Sequence, residues 1–100
     1  MISFSDYIQS IFVNHYRGVR DTYAVGGFTE VAPEPDSRSF CRGGAAFQMG
    51  GHEVRVGHNI LDLFDLYIDG RLRFEDVSVE DFVPRLTSAM EPVSVRIFVD

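Results

Sequence analysis

Asp62, Asp65, Asp69, Glu75 and Asp76 place five carboxylates within fifteen residues. Carboxylates at that density can hold a divalent cation, share a proton in acid–base chemistry, or present negative charge to a basic partner. The calcium option lacks its pattern, because DLYIDG does not carry acids at the alternating positions of a calcium loop. The docking option needs the acids on one face. On a helix, Asp62, Asp65 and Asp69 fall at i, i+3 and i+7, one polar stripe on an otherwise apolar rod. Such a stripe would meet an Arg- or Lys-rich protein with its carboxylates in the place of phosphates. Glu80 and Asp81 extend the acidic run. They also fall at a helix start, where the macrodipole favours acids.

Three histidines and one cysteine complete the reactive set. His52 and His58 are six residues apart. On a continuous strand they would stand about 20 Å apart, too far to share a metal. His15 has no metal-ligand spacing to either. Cys41 lies between Phe40 and Arg42, with no nucleophile signature around it, and reads as a small half-buried apolar residue. The glycine pairs form neither GxxxxGK[ST] nor GxGxxG. Arg38, Arg42 and Arg55 gathered at the Gly43-Gly44 backbone are the weaker anion-binding alternative. Tyr16 and Tyr67 are amphipathic aromatics of the kind that rim partner surfaces, as are Tyr7 and Tyr23. No cofactor is implied.

The elements that must position these residues follow from pattern. Phe4, Ile8, Ile11 and Phe12 share a helical face, and Ser3 with Asp6 has capping-box spacing. The expected helix covers 4–16, with Gly18 as its stop. Glycine pairs at Gly26-Gly27, Gly43-Gly44 and Gly50-Gly51 suit hairpin turns. The first would fold Thr22–Val25 onto Phe28–Val31. The second would fold Phe40–Arg42 onto Ala45–Phe47. The third would fold Ala45–Met49 onto His52–Val56, with Phe47 opposite Val54. Two tight turns so close leave room for one to be a bulge instead. Ala32–Ser39, with Pro33 and Pro35, reads as a loop.

Residues 59–69 fit two patterns. Asn59 and Asp62 have cap spacing and Gly70 sits at a helix C-terminus, but Asp69-Gly70 also fits a hairpin between Leu66–Ile68 and Arg71–Phe74. As a strand, Asp62 and Asp65 would point to opposite faces and leave neither clean, so a helix is expected, and only the helix gathers the three Asp. Arg71–Phe74 reads as a strand. A helix begins near Ser78, its apolar face Val79, Phe82, Val83, Leu86 and Met90, with Pro84 tolerated near its start. Val93–Val99 alternates as a C-terminal strand. The order α-β-β-β-β-α-β-α-β predicts an α+β fold: an antiparallel sheet of about four to six strands with two or three helices packed on one face. One compact domain spanning 1–100 is expected.

Composition bounds the function. The chain has 100 residues, 45% apolar and 24% charged, with a net charge of −6. Residues 59–81 hold seven acids against two Arg, so nearly all of the excess lies there. An acidic surface repels nucleic-acid backbones and attracts basic proteins. All nine cations are Arg, each a planar fork suited to bidentate carboxylate pairing. A lone Cys forms no intramolecular disulfide, the N-terminus lacks a signal-peptide pattern, and no run is long enough to span a bilayer. A cytoplasmic protein with no membrane and no direct nucleic-acid contact is expected. The leading function is a non-catalytic acidic binding module, in its concrete form a phage or mobile-element inhibitor of the anti-defence type. It would dock on a basic surface of a host nucleic-acid-binding protein through Asp62, Asp65, Asp69, Glu75 and Asp76, helped by Tyr16 and Tyr67. The alternative is a self-assembling subunit, such as a homodimer paired through Val93–Val99. A small enzyme using Cys41 or a His comes third.

Overall fold

The computed structural model describes residues 2–90. Helix α1 covers Phe4–His15 and is followed by a short α2, Arg17–Thr22. Five strands come next: β1 Gly26–Val31, β2 Gly44–Met49, β3 His52–His58, β4 Phe64–Ile68 and β5 Arg71–Val77. Helix α3, Val79–Ser88, closes the described chain. The strands form one antiparallel meander in the order β1-β2-β3-β4-β5. The α+β class, an antiparallel sheet within the expected four to six strands, and a helix count within two or three match the sequence reading, although α2 takes the place in that count of the helix expected over 59–69. The C-terminal strand expected over Val93–Val99 lies outside the described residues.

The helices pack through apolar stripes. Ile8, Ile11 and Phe12 of α1 and Phe82, Val83 and Leu86 of α3 are buried against Ala45, Phe47, Val54, Val56, Phe64 and Leu66 of the sheet. The centre is aromatic: Phe12 meets Phe47 and Phe82 edge-on at 5.6 and 5.8 Å, and Phe82 meets Phe64 at 5.5 Å. Edge-to-face pairs add stabilisation beyond the area they bury.

The N-terminus of α1 is capped twice. Ser3 Oγ accepts the Asp6 N–H, as the capping spacing predicts. The Glu30 carboxylate on β1 accepts the Phe4 and Ser5 N–H groups at 3.0 and 2.8 Å, tying the helix to the sheet. The chain leaves α1 at Tyr16, two residues before the expected stop, and Gly18 lies inside α2.

The Gly50-Gly51 hairpin forms as predicted, both glycines at positive φ and Phe47 opposite Val54. The other two glycine pairs do different work. Thr22 ends α2, so no strand precedes Gly26-Gly27; the pair sits within β1, where the register slips against β2 and Gly27 takes φ 72°. That is a bulge. Gly43-Gly44 receives the end of a long loop, and Phe40–Arg42 form turns rather than a strand.

Residues 59–69 are not helical. Residues 59–63 form a turn and β4 follows, joined to β5 through Asp69-Gly70, the hairpin alternative. Phe64, Leu66 and Ile68 point into the core, and Asp65 points to the opposite face. The Asp stripe dissolves because Asp65 is only 1% exposed and has its own internal partners. A strand covered on both faces loses the alternation by which strands are recognised.

The loop between β1 and β2 supplies the cover. Its Phe40 ring lies on Tyr67, and the Ser39 and Tyr67 hydroxyls hydrogen-bond at 2.6 Å. Gly44 and Gly57, paired across β2 and β3, form the floor on which it lies.

Candidate functional site

The five acids of the sequence reading divide into three groups, each satisfied within the molecule. Asp65 and Asp76 belong to one network, with Asp65 buried and Asp76 at its exposed end. Asn59 is fully buried, and its Nδ2 donates to Asp65 Oδ1 at 2.9 Å and Asp76 Oδ1 at 2.8 Å. Its Oδ1 accepts the Leu61 and Leu63 N–H groups, which shapes the turn. Asp65 Oδ1 also accepts the Asp76 N–H at 3.0 Å. Asp76 sits at φ 54° where β5 bulges against β4. Arg38, from the β1–β2 loop, reaches Asp76 Oδ1 at 2.5 Å and Glu75 at 3.6 Å. The bond to Asp76, with its charge, holds the Arg38 guanidinium above its usual pKa.

Asp69 is at the hairpin tip, with φ 52°. It pairs with His52 Nδ1 at 2.6 Å and accepts the Glu53 N–H at 3.0 Å. The bond to His52, then the Glu53 N–H, lowers its carboxyl pKa from the ordinary value. Asp62, at φ 63°, pairs with His58 Nε2. Asp62, Asp65 and Asp69 therefore occupy a turn, a covered strand and a hairpin tip. Among the described residues, no three His, Cys, Asp or Glu side chains converge as a metal site.

The other candidates are equally dispersed. Arg38 is committed to Glu75 and Asp76, and Arg55 pairs with Glu53, so the two do not gather at Gly43-Gly44. Cys41 Sγ faces the main-chain oxygen of His58, not its ring, at 3.8 Å. Tyr67 is half-covered by the loop, and Tyr16 stands at the α1–α2 junction.

A different site emerges on the helical face of the molecule. A groove of about 640 Å³ lies between the start of α1, the β3–β4 turn and the start of α3. Phe4, Tyr7, Leu63, Phe64 and Val79 supply its apolar lining, and Asp62 and Glu80 its carboxylates. The His58 ring stacks on Phe4 at 4.9 Å, with an 11° interplanar angle, and meets Phe64 edge-on. The Asp62 carboxylate fixes that ring from outside. The groove continues along α1 into a second hollow of about 460 Å³, where Tyr7, Val79 and Glu80 are shared and Ile11, Asn14 and Tyr16 extend the wall. Among the described residues, no Arg lines either part.

Exposed apolar side chains concentrate here. Of the six large hydrophobic residues left exposed among the described residues, Ile2, Tyr7 and Val79 line the groove. Ile60 and Leu61, at 64% and 58% exposure, belong to the turn whose Asp62 and Leu63 form its wall. Only Leu72, on β5, lies elsewhere.

The sequence held one signal for this groove. Phe4, Tyr7, Ile8, Ile11 and Phe12 make an apolar arc on α1 wider than one packing stripe needs. Ile8 and Phe12 are used up by the core, and Phe4 and Tyr7 are left over. Val79 read as part of the apolar face of α3 but is 38% exposed, and Glu80 read as a first-turn acid, so neither pointed to the groove.

Among the described residues, the outer strands of the sheet are blunted. β1 bulges at Gly27, and β5 bulges twice and carries Arg71, Arg73, Glu75 and Asp76. Bulges and charges of this kind discourage strand addition. No described helix is long and apolar enough to cross a membrane. No protein-family model, curated protein or solved structure matches the chain.

Proposed function

We propose that this protein is a non-catalytic binding module that docks on a protein with a basic surface, and that the groove between α1 and α3 is the contact. The observation that carries the reading is the concentration of exposed apolar side chains about a groove whose charged rim is carboxylate. Apolar area supplies the affinity, and the acidic rim selects the partner and speeds encounter. The net charge of −6 acts in the same direction at longer range. A basic nucleoprotein covered by an anti-defence inhibitor of phage or mobile-element origin is the first partner class to test, because such proteins expose the required charge.

The test is affinity capture with three forms of the protein: wild type, Val79→Asp, and Leu72→Asp as an exposed control away from the groove. Retention of a basic protein by wild type and Leu72→Asp, with loss by Val79→Asp, supports the reading. Equal capture by all three forms removes the groove from it.

A further inference from the structure

The shape and chemistry of the groove specify what kind of segment it takes. One face of α1 lines it from end to end, through Phe4, Tyr7, Ile11 and Asn14 at i, i+3, i+7 and i+10. Twelve residues of α1 make a wall about 18 Å long. The facing wall is built from Asp62, Leu63, Val79 and Glu80. Neither edge strand contributes: no lining residue belongs to β1 or β5. The groove therefore offers side chains and no row of unpaired backbone donors and acceptors. An extended segment entering it would leave its own N–H and C=O groups without strand partners, whereas a helix satisfies them internally.

Charge narrows the choice further. Glu80 sits where the two hollows meet, and no described residue forms an ion pair with it. Asp62 stands at the same rim, paired only with His58. A helix carrying Lys or Arg along the border of its apolar face would set those cations against both carboxylates.

We infer that the groove receives a basic amphipathic α-helix of about three turns from the partner protein, laid along α1 with its apolar face on Phe4, Tyr7 and Val79. This rests on the binding-module reading and adds the form of the bound segment. An acidic helix would be repelled at Glu80. An extended basic segment would keep the charge attraction but lose the packing register at i, i+3 and i+7.

The test uses synthetic peptides as probes against the full chain labelled for NMR. The first is an amphipathic Leu/Lys peptide about four turns long. The second has the same sequence with two central D-residues that prevent a helix, and the third replaces Lys by Glu. The expected result is saturable binding of the first peptide, with shift changes at Phe4, Tyr7, Val79 and Glu80 and a gain of peptide helicity. The D-residue and Leu/Glu peptides should bind roughly tenfold more weakly or less. Glu80→Arg and Val79→Asp should each weaken the first peptide. Both positions are exposed, so the variants should fold, as their amide spectra will report. Equal binding of the D-residue peptide overturns the helix. Equal binding of the Leu/Glu peptide overturns the charge preference. Shift changes confined to the β4–β5 tip, or none, overturn the inference as a whole. In that last case, capture of a basic protein that Val79→Asp abolishes would still leave the module reading standing, so the two failures are distinguishable.

Discussion

Gly44 and Gly57 face each other across β2 and β3, and the β1–β2 loop lies on them, the Phe40 ring over Gly44 and the Ser39 backbone over Gly57. A Cβ on Gly57 would stand 2.2 Å from the Ser39 carbonyl oxygen, and one on Gly44 2.4 Å from the Val56 oxygen. The loop covers the second face of the sheet only because this floor has no side chains.

Gly57→Ala is expected to destabilise the fold by about 3 kcal/mol, the upper range for overpacking, because backbone rather than a flexible side chain must move. Gly18→Ala is the opposite control: it lies inside α2 with nothing within 4 Å of the added methyl. It should gain about 0.5–1 kcal/mol. Urea denaturation of both variants checks the pair. A neutral Gly57→Ala would mean that the loop does not rest on this floor.

The Asn59 network makes an ordered prediction. Both bonds to Asp65 end on one oxygen, Oδ1, which an Asn at that position can also supply. Asp65→Asn should therefore cost under about 1 kcal/mol, and Asp65→Ala about 2–3. Asn59→Ala strips four hydrogen bonds from a fully buried site and should cost at least as much as Asp65→Ala. Chemical denaturation midpoints give the order. Equal losses for Asp65→Asn and Asp65→Ala would show that the charge itself is required.

This network also explains what could be read from the sequence and what could not. The α1 face, the Gly50-Gly51 hairpin and the α3 face were legible because their apolar spacing matches the geometry they adopt. Residues 59–69 were not, because Asp65 looks like a solvent-facing acid unless its partners are known. Of those partners, Asn59 comes from the β3–β4 turn, and the Asp76 N–H meets it only through a β5 bulge. Of the expected stripe, Asp65 is an internal fastener, whereas Asp62 and Asp69 are exposed and paired with His58 and His52. The groove was half-legible: surplus apolar residues on α1 announced a second face, but its far wall comes from α3 and the β3–β4 turn.

Asp69 gives the fold a pH signature. Its folded carboxyl pKa lies below the ordinary value, through the His52 bond and then the Glu53 N–H. The pair thus adds stability that is present above the unfolded carboxylate range, about 3.9, and lost as pH falls through the lower folded value. Thermal melts of wild type and Asp69→Asn should differ at pH 6 and converge as pH falls below about 4. A difference that stays constant over this window contradicts the assignment.

Arg38 should act as the clasp of the β1–β2 loop. Removing it with Arg38→Ala should speed hydrogen exchange at Ser37 and Gly43, whose N–H groups are bonded within the loop, while Val54 and Leu66 in the central strands stay protected. High salt should produce a weaker form of the same change, because the Arg38 pairs are partly exposed. Unchanged loop exchange would assign the hold to Phe40 and Ser39 alone.

The central claim is that the groove, and no other face, meets the partner. Photo-cross-linking tests it most directly, with a benzophenone side chain placed at Val79 in one preparation and at Leu72 in another. Both positions are exposed, at 38% and 42%, and only the first lines the groove. The account predicts a discrete cross-linked product with a basic protein from the Val79 probe and none from the Leu72 probe. The same product from both, or from Leu72 alone, would contradict it.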